Sequence, residues 1–161
     1  REVLDRLDMH SSSFEHFGPA PHRLAVGHRD IRTFPNYLFT ARAAAGLYTS
    51  ASDLAKFLTD LYNGYAGRPG MLNSDRYQEF AAITDSLSTS SHVGMGFFID
   101  DLPDGSELIS HSGGNIGWNC YFGVNLANGE GIAILTNSDD GYTEIVNPIL
   151  TAYRRYRVKN R

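Results

Sequence analysis

From Val93 onward the apolar residues change from the spacing of helices to the spacing of strands, and this switch restricts the fold more than any other feature. Four segments read as β-strands, at about 94–100, 106–112, 119–126 and 131–137. Pro103-Asp104-Gly105 separates the first two with turn chemistry, and Asn128-Gly129 marks a tight hairpin between the last two. Ile132, Ala133, Ile134 and Leu135 form a continuous apolar run, which predicts a strand buried on both faces. Between the second and third strands lies Ser110-His111-Ser112-Gly113-Gly114-Asn115-Ile116-Gly117-Trp118, which holds the chain's only tryptophan. Glycine at this density relaxes backbone limits and lets another molecule approach the main chain closely. The histidine adds a donor and acceptor that changes charge near neutral pH. As pattern alone the stretch is a glycine-rich loop joining two strands.

The first 92 residues read as mostly helix and loop. Val3, Leu4 and Leu7 have helical spacing and fit the last turns of a helix. Residues 9–39 are irregular, broken by Gly18, Pro19, Pro21, Gly27 and Pro35. His10, His16, His22 and His28 recur every six residues, a spacing that suits neither a helix face nor a metal knuckle. They read as loop histidines, and no metal or cofactor is expected. Ser50 followed by Asp53 resembles a capping box, with Leu54, Phe57, Leu58 and Leu61 as the apolar face and Asn63-Gly64 as the stop. A second helix is predicted from Ser74, with Tyr77 and Phe80 inward, and the polar segment 84–91 reads as a loop. A last helix spans roughly 143–157. Pro148 within it implies either a kink or a late start with Asn147 as N-cap. Helices followed by an antiparallel meander and a closing helix make an α+β arrangement, which at 161 residues is one domain.

Composition excludes several function classes. The formal charge of -4 gives no electrostatic reason for a nucleic-acid partner. The late basic residues Arg154, Arg155, Arg157, Lys159 and Arg161 sit at a helix end, where positive charge suits the dipole. No run of 18 apolar residues is present to form a membrane span. The lone cysteine, Cys120, excludes an intramolecular disulfide and reads as a small buried thiol before a nucleophile. The charged start, with no initiating methionine, suggests a fragment, and the compartment is left open.

Five motifs in one order resemble the serine β-lactamase-like family, which includes class C β-lactamases, low-molecular-weight penicillin-binding proteins and related esterases and peptidases. Leu7-Asp8-Met9 resembles its "P-L-G-M" element, and Ala45-Gly46-Leu47-Tyr48-Thr49-Ser50-Ala51-Ser52-Asp53-Leu54 its "GGLYSTAADL" helix start. Gly94-Met95-Gly96-Phe97 is similar to its "GLGF" strand, His111-Ser112-Gly113 to its "K/H-T/S-G" motif, and Gly131-Ile132-Ala133-Ile134-Leu135-Thr136-Asn137 to "GIVVLTN". The resemblance implies a serine hydrolase that forms an acyl-enzyme on an amide, ester or β-lactam carbonyl. It assigns catalytic positions to His111, Ser112 and Gly114, the last through a backbone N–H of the oxyanion hole. Ser112 would bind a substrate carboxylate or assist proton transfer. Gly113, Asn115 and Trp118 fall at substrate-binding positions, with a packed role for Trp118 equally open. The strand itself would pair with an extended substrate.

Two departures matter. Many members have lysine at the position of His111, and a histidine of ordinary pKa, about 6.5, is mostly neutral at pH 7. That weakens a fixed anchor for a carboxylate and points away from a penicillinase. The family's nucleophile lies in S-x-x-K, with Y-x-N or S-x-N as a second element. No serine here has lysine three residues on, and no tyrosine or serine has asparagine two residues on. The chain therefore reads as the C-terminal half of such an enzyme, inactive alone, with the N-terminal half of the same protein as its partner. Residues 131–137 would then be an exposed sheet edge, with a homodimer as the expected consequence. The alternative is a non-catalytic β-lactamase-like binding module.

Overall fold

The computed structural model describes residues 2–15 and 24–159. Strands β1 (Gly27–Arg29) and β2 (Arg32–Phe34) form a small hairpin. Helices α1 (Arg42–Ala45), α2 (Ala51–Tyr65) and α3 (Ser74–Ala81) follow. Strands β3 (Asp85–Ser88), β4 (Ser91–Val93), β5 (Phe98–Asp101), β6 (Glu107–Asn115), β7 (Trp118–Asn125) and β8 (Gly131–Thr136) then build one antiparallel meander in chain order. A π-helical turn, Tyr142–Val146, leads into α4 (Asn147–Lys159).

Side-chain alternation along the strands separates two cores. Ile109 and Val124 face α2 and α3, where they meet Leu58, Leu61 and Tyr77. Leu108, Tyr121 and Ile134 face the other way, onto Val146, Leu150 and Tyr153. The sheet is thus a layer between two helical layers. Ser50 caps α2 by accepting the Asp53 N–H at 3.2 Å. The Asp53 carboxylate does not return the bond. It takes the Ser11 N–H and the Ser12 hydroxyl, each at 2.8 Å, and so ties residues 11–12 to the helix. Gly64 lies inside α2 instead of ending it, because a Cβ there would fall 2.1 Å from the Tyr77 ring.

Several expectations are corrected. Residues 2–8 form hydrogen-bonded turns, not a helix; Asp8 has φ 53, a left-handed conformation that stops propagation. That is the position where the resembled motif carries glycine. The segment 84–91 is no loop but the β3 arm of a hairpin, and the strand expected at 94–100 begins only at Phe98. Residues 94–97 form a turn, with Gly96 at φ +79 and the Gly94 N–H on the Phe97 carbonyl. The polar hairpin lacks alternation because β3 is exposed on both faces, so its pairing rests on backbone bonds. Of the four spaced histidines, His28 is in β1 and His10 in an exposed turn; His16 and His22 lie outside the described residues. Strand β8 is not covered on both faces: Ile134 is buried but Leu135 is 39% exposed. It is the last strand of the sheet, and α2 packs beside it, with Leu58 against Gly131.

Neither alternative for Pro148 describes the structure. Helical backbone begins at Tyr142 as the π turn and passes into α4 at Asn147, which is itself helical (φ -59, ψ -45) and not an N-cap. The Asn147 N–H reaches the Tyr142 carbonyl, and Pro148 then occupies an early helical position that requires no donor. The late basic residues do more than suit a dipole. Arg157 pairs with Asp104 at 3.2 Å and Glu130 at 2.9 Å, clasping α4 to two turns of the sheet, and Arg154 lies 3.5 Å from Asp100.

Candidate active site

The expected glycine-rich loop is a continuous β-hairpin. β6 runs through His111, Ser112, Gly113 and Gly114 to Asn115, turns at Ile116-Gly117, and returns from Trp118. Gly117 has φ +80, which the tight reversal requires. Gly113 faces Cys120 and Gly114 faces Asn119. A Cβ on Gly113 would sit 2.9 Å from the Cys120 sulfur, so glycine keeps this strand pair closely packed. Cys120 is half-buried where the sequence reading expected a buried thiol, and burial pushes the thiol up, partly countered by the Gly113 backbone.

The hydrogen-bond alternation of this ladder fixes which backbone groups are available. The Leu126 N–H bonds the Glu107 carbonyl, so that pair exchanges bonds, and every second pair beyond it does the same. His111, Gly113 and Asn115 therefore point their backbone groups at β7. Ser110, Ser112 and Gly114 point theirs the other way, toward β5. But β5 pairs with β6 only as far as Ser110, opposite Phe98. Beyond it the chain has turned away through residues 94–97. The N–H and C=O groups of Ser112 and Gly114 consequently face an edge that no strand among the described residues occupies.

Side chains around this edge have separate roles. His111 is exposed, its ring 5.6 Å from that of Phe98 and 6.3 Å from Phe122, to which it is nearly parallel. Ser112 is half-buried opposite Tyr121. The Asn115 amide donates to the Ala45 carbonyl at 3.3 Å, joining the hairpin tip to the segment before α2. Trp118 packs over Gly27, where an added Cβ would come within 2.7 Å of the indole nitrogen. It is absent from the pocket lining, so the packed alternative describes its geometry.

A recess of about 480 Å³ is lined at the hairpin tip by Gly114, Asn115 and Ile116. Its far wall is Tyr37, Phe39 and Arg29, with Asn119 and Asp139 at the base. Asp139 organises this region: one carboxylate oxygen accepts the Gly117 N–H and the other the Arg29 Nε. The Gly117 bond first, then Arg29, hold its carboxyl below the usual carboxylate range. Asn119 donates to the carbonyls of Ser138 at 2.9 Å and Asp139 at 2.8 Å. None of Arg29, Tyr37, Phe39, Asn119 or Asp139 was marked by a sequence pattern. The only hint was Asn119 beside the glycine-rich stretch. A larger groove of about 680 Å³ along α4, at Pro148, Thr151 and Tyr156, borders none of these groups. Elsewhere Ser86 lies 2.9 Å from His92 Nδ1, but Asp101 is 3.7 Å from Nε2, beyond hydrogen-bond reach. That trio sits on the sheet rim and borders neither recess. Among the described residues no three His, Cys, Asp or Glu side chains converge to hold a metal ion.

Three solved structures share the fold. A D-amino acid amidase from Ochrobactrum anthropi SV3, complexed with D-phenylalanine, is 25% identical with a TM-score of 0.71, over 94% of this chain and 52% of that one. A penicillin-binding protein from Bacillus halodurans is 18% identical with a TM-score of 0.74, over 94% and 47% respectively. A class C β-lactamase is 18% identical with a TM-score of 0.71, over 94% and 48%. The chain spans about half the length of each. No curated protein sequence matches it. The Beta-lactamase family matches residues 1–151, nearly the whole chain. A match over that much of its length settles the family: this chain belongs to the Beta-lactamase family.

Proposed function

We propose that the chain forms one wall of a serine hydrolase site that transfers acyl groups from an amide, ester or β-lactam carbonyl. The observation that carries this reading is the direction of the Gly114 N–H, aimed at a β6 edge that no strand among the described residues occupies. A tetrahedral oxyanion placed there meets a preorganised donor, and loss of one such donor costs about 2.7–4 kcal/mol in enzymes of this chemistry. The Ser112 and Gly114 backbone groups offer the alternate bonds that an extended substrate uses when it adds to a sheet. His111 supplies a hydrogen-bonding group beside the reacting carbonyl, and Ser112 either holds a substrate oxygen or relays a proton.

On this reading the nucleophile and its lysine belong to a part of the protein outside these 161 residues. These 161 residues hold no S-x-x-K, so they are expected to form no acyl-enzyme alone. The test treats the chain, and a longer polypeptide carrying S-x-x-K upstream, with a serine-directed acylating probe, followed by mass spectrometry. A stoichiometric adduct on the longer protein alone is expected; one on the 161-residue chain refutes the assignment. A degraded S-x-x-K upstream would favour the non-catalytic binding module. Amide exchange checks the geometry independently: the Ser112 and Gly114 amides should exchange quickly while those of His111 and Gly113 are protected. The open side of β8 is proposed to pair with a second copy or with the N-terminal half. A strictly monomeric chain in light scattering at high concentration argues against self-pairing.

A further inference from the structure

We propose that Asp139, braced by Arg29, is the positioning residue that keeps the Gly114 N–H aimed at the open side of β6. The inference rests on the hydrolase reading of Gly114 and adds to it the group that holds this donor in place. Beyond Ser110, β6 has a neighbour on one side only, because β5 pairs no further along it. Gly113 and Gly114 have no side chains to pack, and glycine has the freest backbone of any residue. The peptide planes around Gly114 are therefore set by the bonded pairs on either side of it, Gly113 with Cys120 and Asn115 with Trp118. The second of these is the last rung before the turn at Ile116-Gly117. Whatever fixes that turn fixes the aim of Gly114.

Three groups reach the turn from elsewhere in the chain. The Asn115 side-chain amide donates to the Ala45 carbonyl at 3.3 Å, the Tyr37 hydroxyl donates to the Ile116 carbonyl at 2.9 Å, and the Gly117 N–H donates to the Asp139 carboxylate. Of these bonds only the third ends on a charged group, and bonds to an ionised acceptor are roughly twice as strong as neutral ones. Asp139 is itself anchored through its remaining polar groups. Its N–H donates to the His28 carbonyl at 3.0 Å, and its carbonyl accepts the Asn119 amide at 2.8 Å. Its second carboxylate oxygen accepts the Arg29 Nε. One residue thus ties β1, the start of β7 and the hairpin tip together. Arg29 is placed by β1, with its guanidinium carbon 5.6 Å from the centre of the Phe34 ring. Because protein donors engage both carboxylate oxygens, Asp139 acts on the site through Gly117 and not on a substrate. Arg29 also balances its charge, so the tether adds no net negative charge beside a donor meant for an oxyanion.

Amide exchange on the 161-residue chain tests this without catalysis. Asp139→Ala is expected to speed exchange at the backbone N–H groups of Gly113 and Asn115 by about tenfold or more. Those of Ile109 and Val124, paired further along the same two strands, should keep their rates, which a general loss of stability would not allow. Asp139→Asn keeps an acceptor for the Gly117 N–H and should restore most of the protection. If Asp139→Ala does not fold, Arg29→Gln removes only the brace and is expected to give a smaller acceleration at the same two groups. Unchanged rates at Gly113 and Asn115 in the folded variant, or equal acceleration at all four positions, overturn the proposal. Neither result involves chemistry, so the hydrolase reading survives both. In a longer polypeptide carrying S-x-x-K, Asp139→Ala should lower the acylation rate at saturating probe by about tenfold or more. The half-saturating concentration should stay within about threefold, and Asp139→Asn should recover most of the rate. An unchanged acylation rate also overturns the proposal. No adduct on the wild-type polypeptide sinks the hydrolase reading instead and leaves the exchange result standing.

Discussion

Gly117→Ala separates two costs that usually act together. The residue has φ +80, where an L side chain meets its own backbone at a cost of about 1–2 kcal/mol. Reduced freedom of the unfolded chain returns about 0.4–1 kcal/mol. Gly105→Ala incurs the same two effects, since Gly105 has φ +82 and an added Cβ would meet nothing within 4 Å. At Gly117 the Cβ would instead lie 3.0 Å from the Gly27 Cα and 3.1 Å from both the Gly27 carbonyl carbon and the His28 nitrogen. These are backbone atoms and cannot rotate away. The His28 N–H is bonded to the Asn137 carbonyl at 2.9 Å, so any retreat of β1 strains that bond, worth about 0.5–1.5 kcal/mol. Overpacking of this kind costs about 1–3 kcal/mol. Gly117→Ala should therefore be less stable than Gly105→Ala by about 1–2 kcal/mol. For a chain of this length that is roughly 2–8 °C in melting temperature. Urea titration and thermal melting serve as assays, followed by circular dichroism and by the fluorescence of Trp118, the single tryptophan and the next residue in sequence. Equal or higher stability of Gly117→Ala would show that the close approach of the hairpin tip to β1 carries no energy.

Acid should loosen the anchor at the start of α2. Burial tends to raise the Asp53 carboxyl, but hydrogen bonds from Ser12, Lys56 and the Ser11 N–H outweigh it and the net shift is downward. A lowered folded pKa means the stabilisation is complete above the unfolded value of about 3.9 and is lost as pH falls through the folded one. Asp53→Asn should flatten the acid limb of a stability–pH curve measured by denaturant titration, while Asp53→Ala should cost about 1–3 kcal/mol at pH 7 by removing the acceptor of the Ser11 N–H and one of the two partners of the Ser12 hydroxyl. Cys120, with its thiol raised by burial, should react with a disulfide reagent at pH 7.5 at least tenfold more slowly than free cysteine; equal rates would expose an error in its packing. Asp8→Gly should raise stability by up to about 1 kcal/mol by relieving φ 53, as read from the midpoint of a urea titration.

Features set by neighbouring residues were legible in the sequence. The Ser50 cap and the inward Tyr77 each depend on a few adjacent positions, and both are present; the chain also reverses at Asn128-Gly129, but through a wider loop than a tight hairpin, closed by the Asn125 N–H on the Glu130 carbonyl. The β3–β4 hairpin was not legible, because strands exposed on both faces carry no alternation, and Asp85-Ser86-Leu87-Ser88 has the composition of a loop. The continuous run 132–135 misled in the opposite sense, since apolar content records a partner for the face without saying whether one is present. In the candidate site, His111 to Gly114 stood out by glycine density and by family resemblance. What escaped was that the glycines extend a strand and are not a loop. The far wall escaped entirely. Arg29, Tyr37 and Phe39 lie in a stretch broken by glycine and proline, and they meet Asp139 and Ile116 only through the tertiary fold.

That tertiary closure has a kinetic consequence. The His28 side chain meets the Asn137 carbonyl across 109 residues, Arg29 meets Asp139 across 110, and Asn137 reaches the Val26 carbonyl across 111. The meander from β3 to β8, by contrast, closes through short turns between consecutive strands. Contacts this distant in sequence form late, after the local ones have already shortened the loop they must close. During synthesis at about 5–20 residues per second, the β1–β2 hairpin waits roughly 5–20 s before its docking partners emerge. Throughout that interval the hairpin has neither Asn137 nor Asp139 to bond, so the recess beside Gly114 cannot close until those two residues have been made.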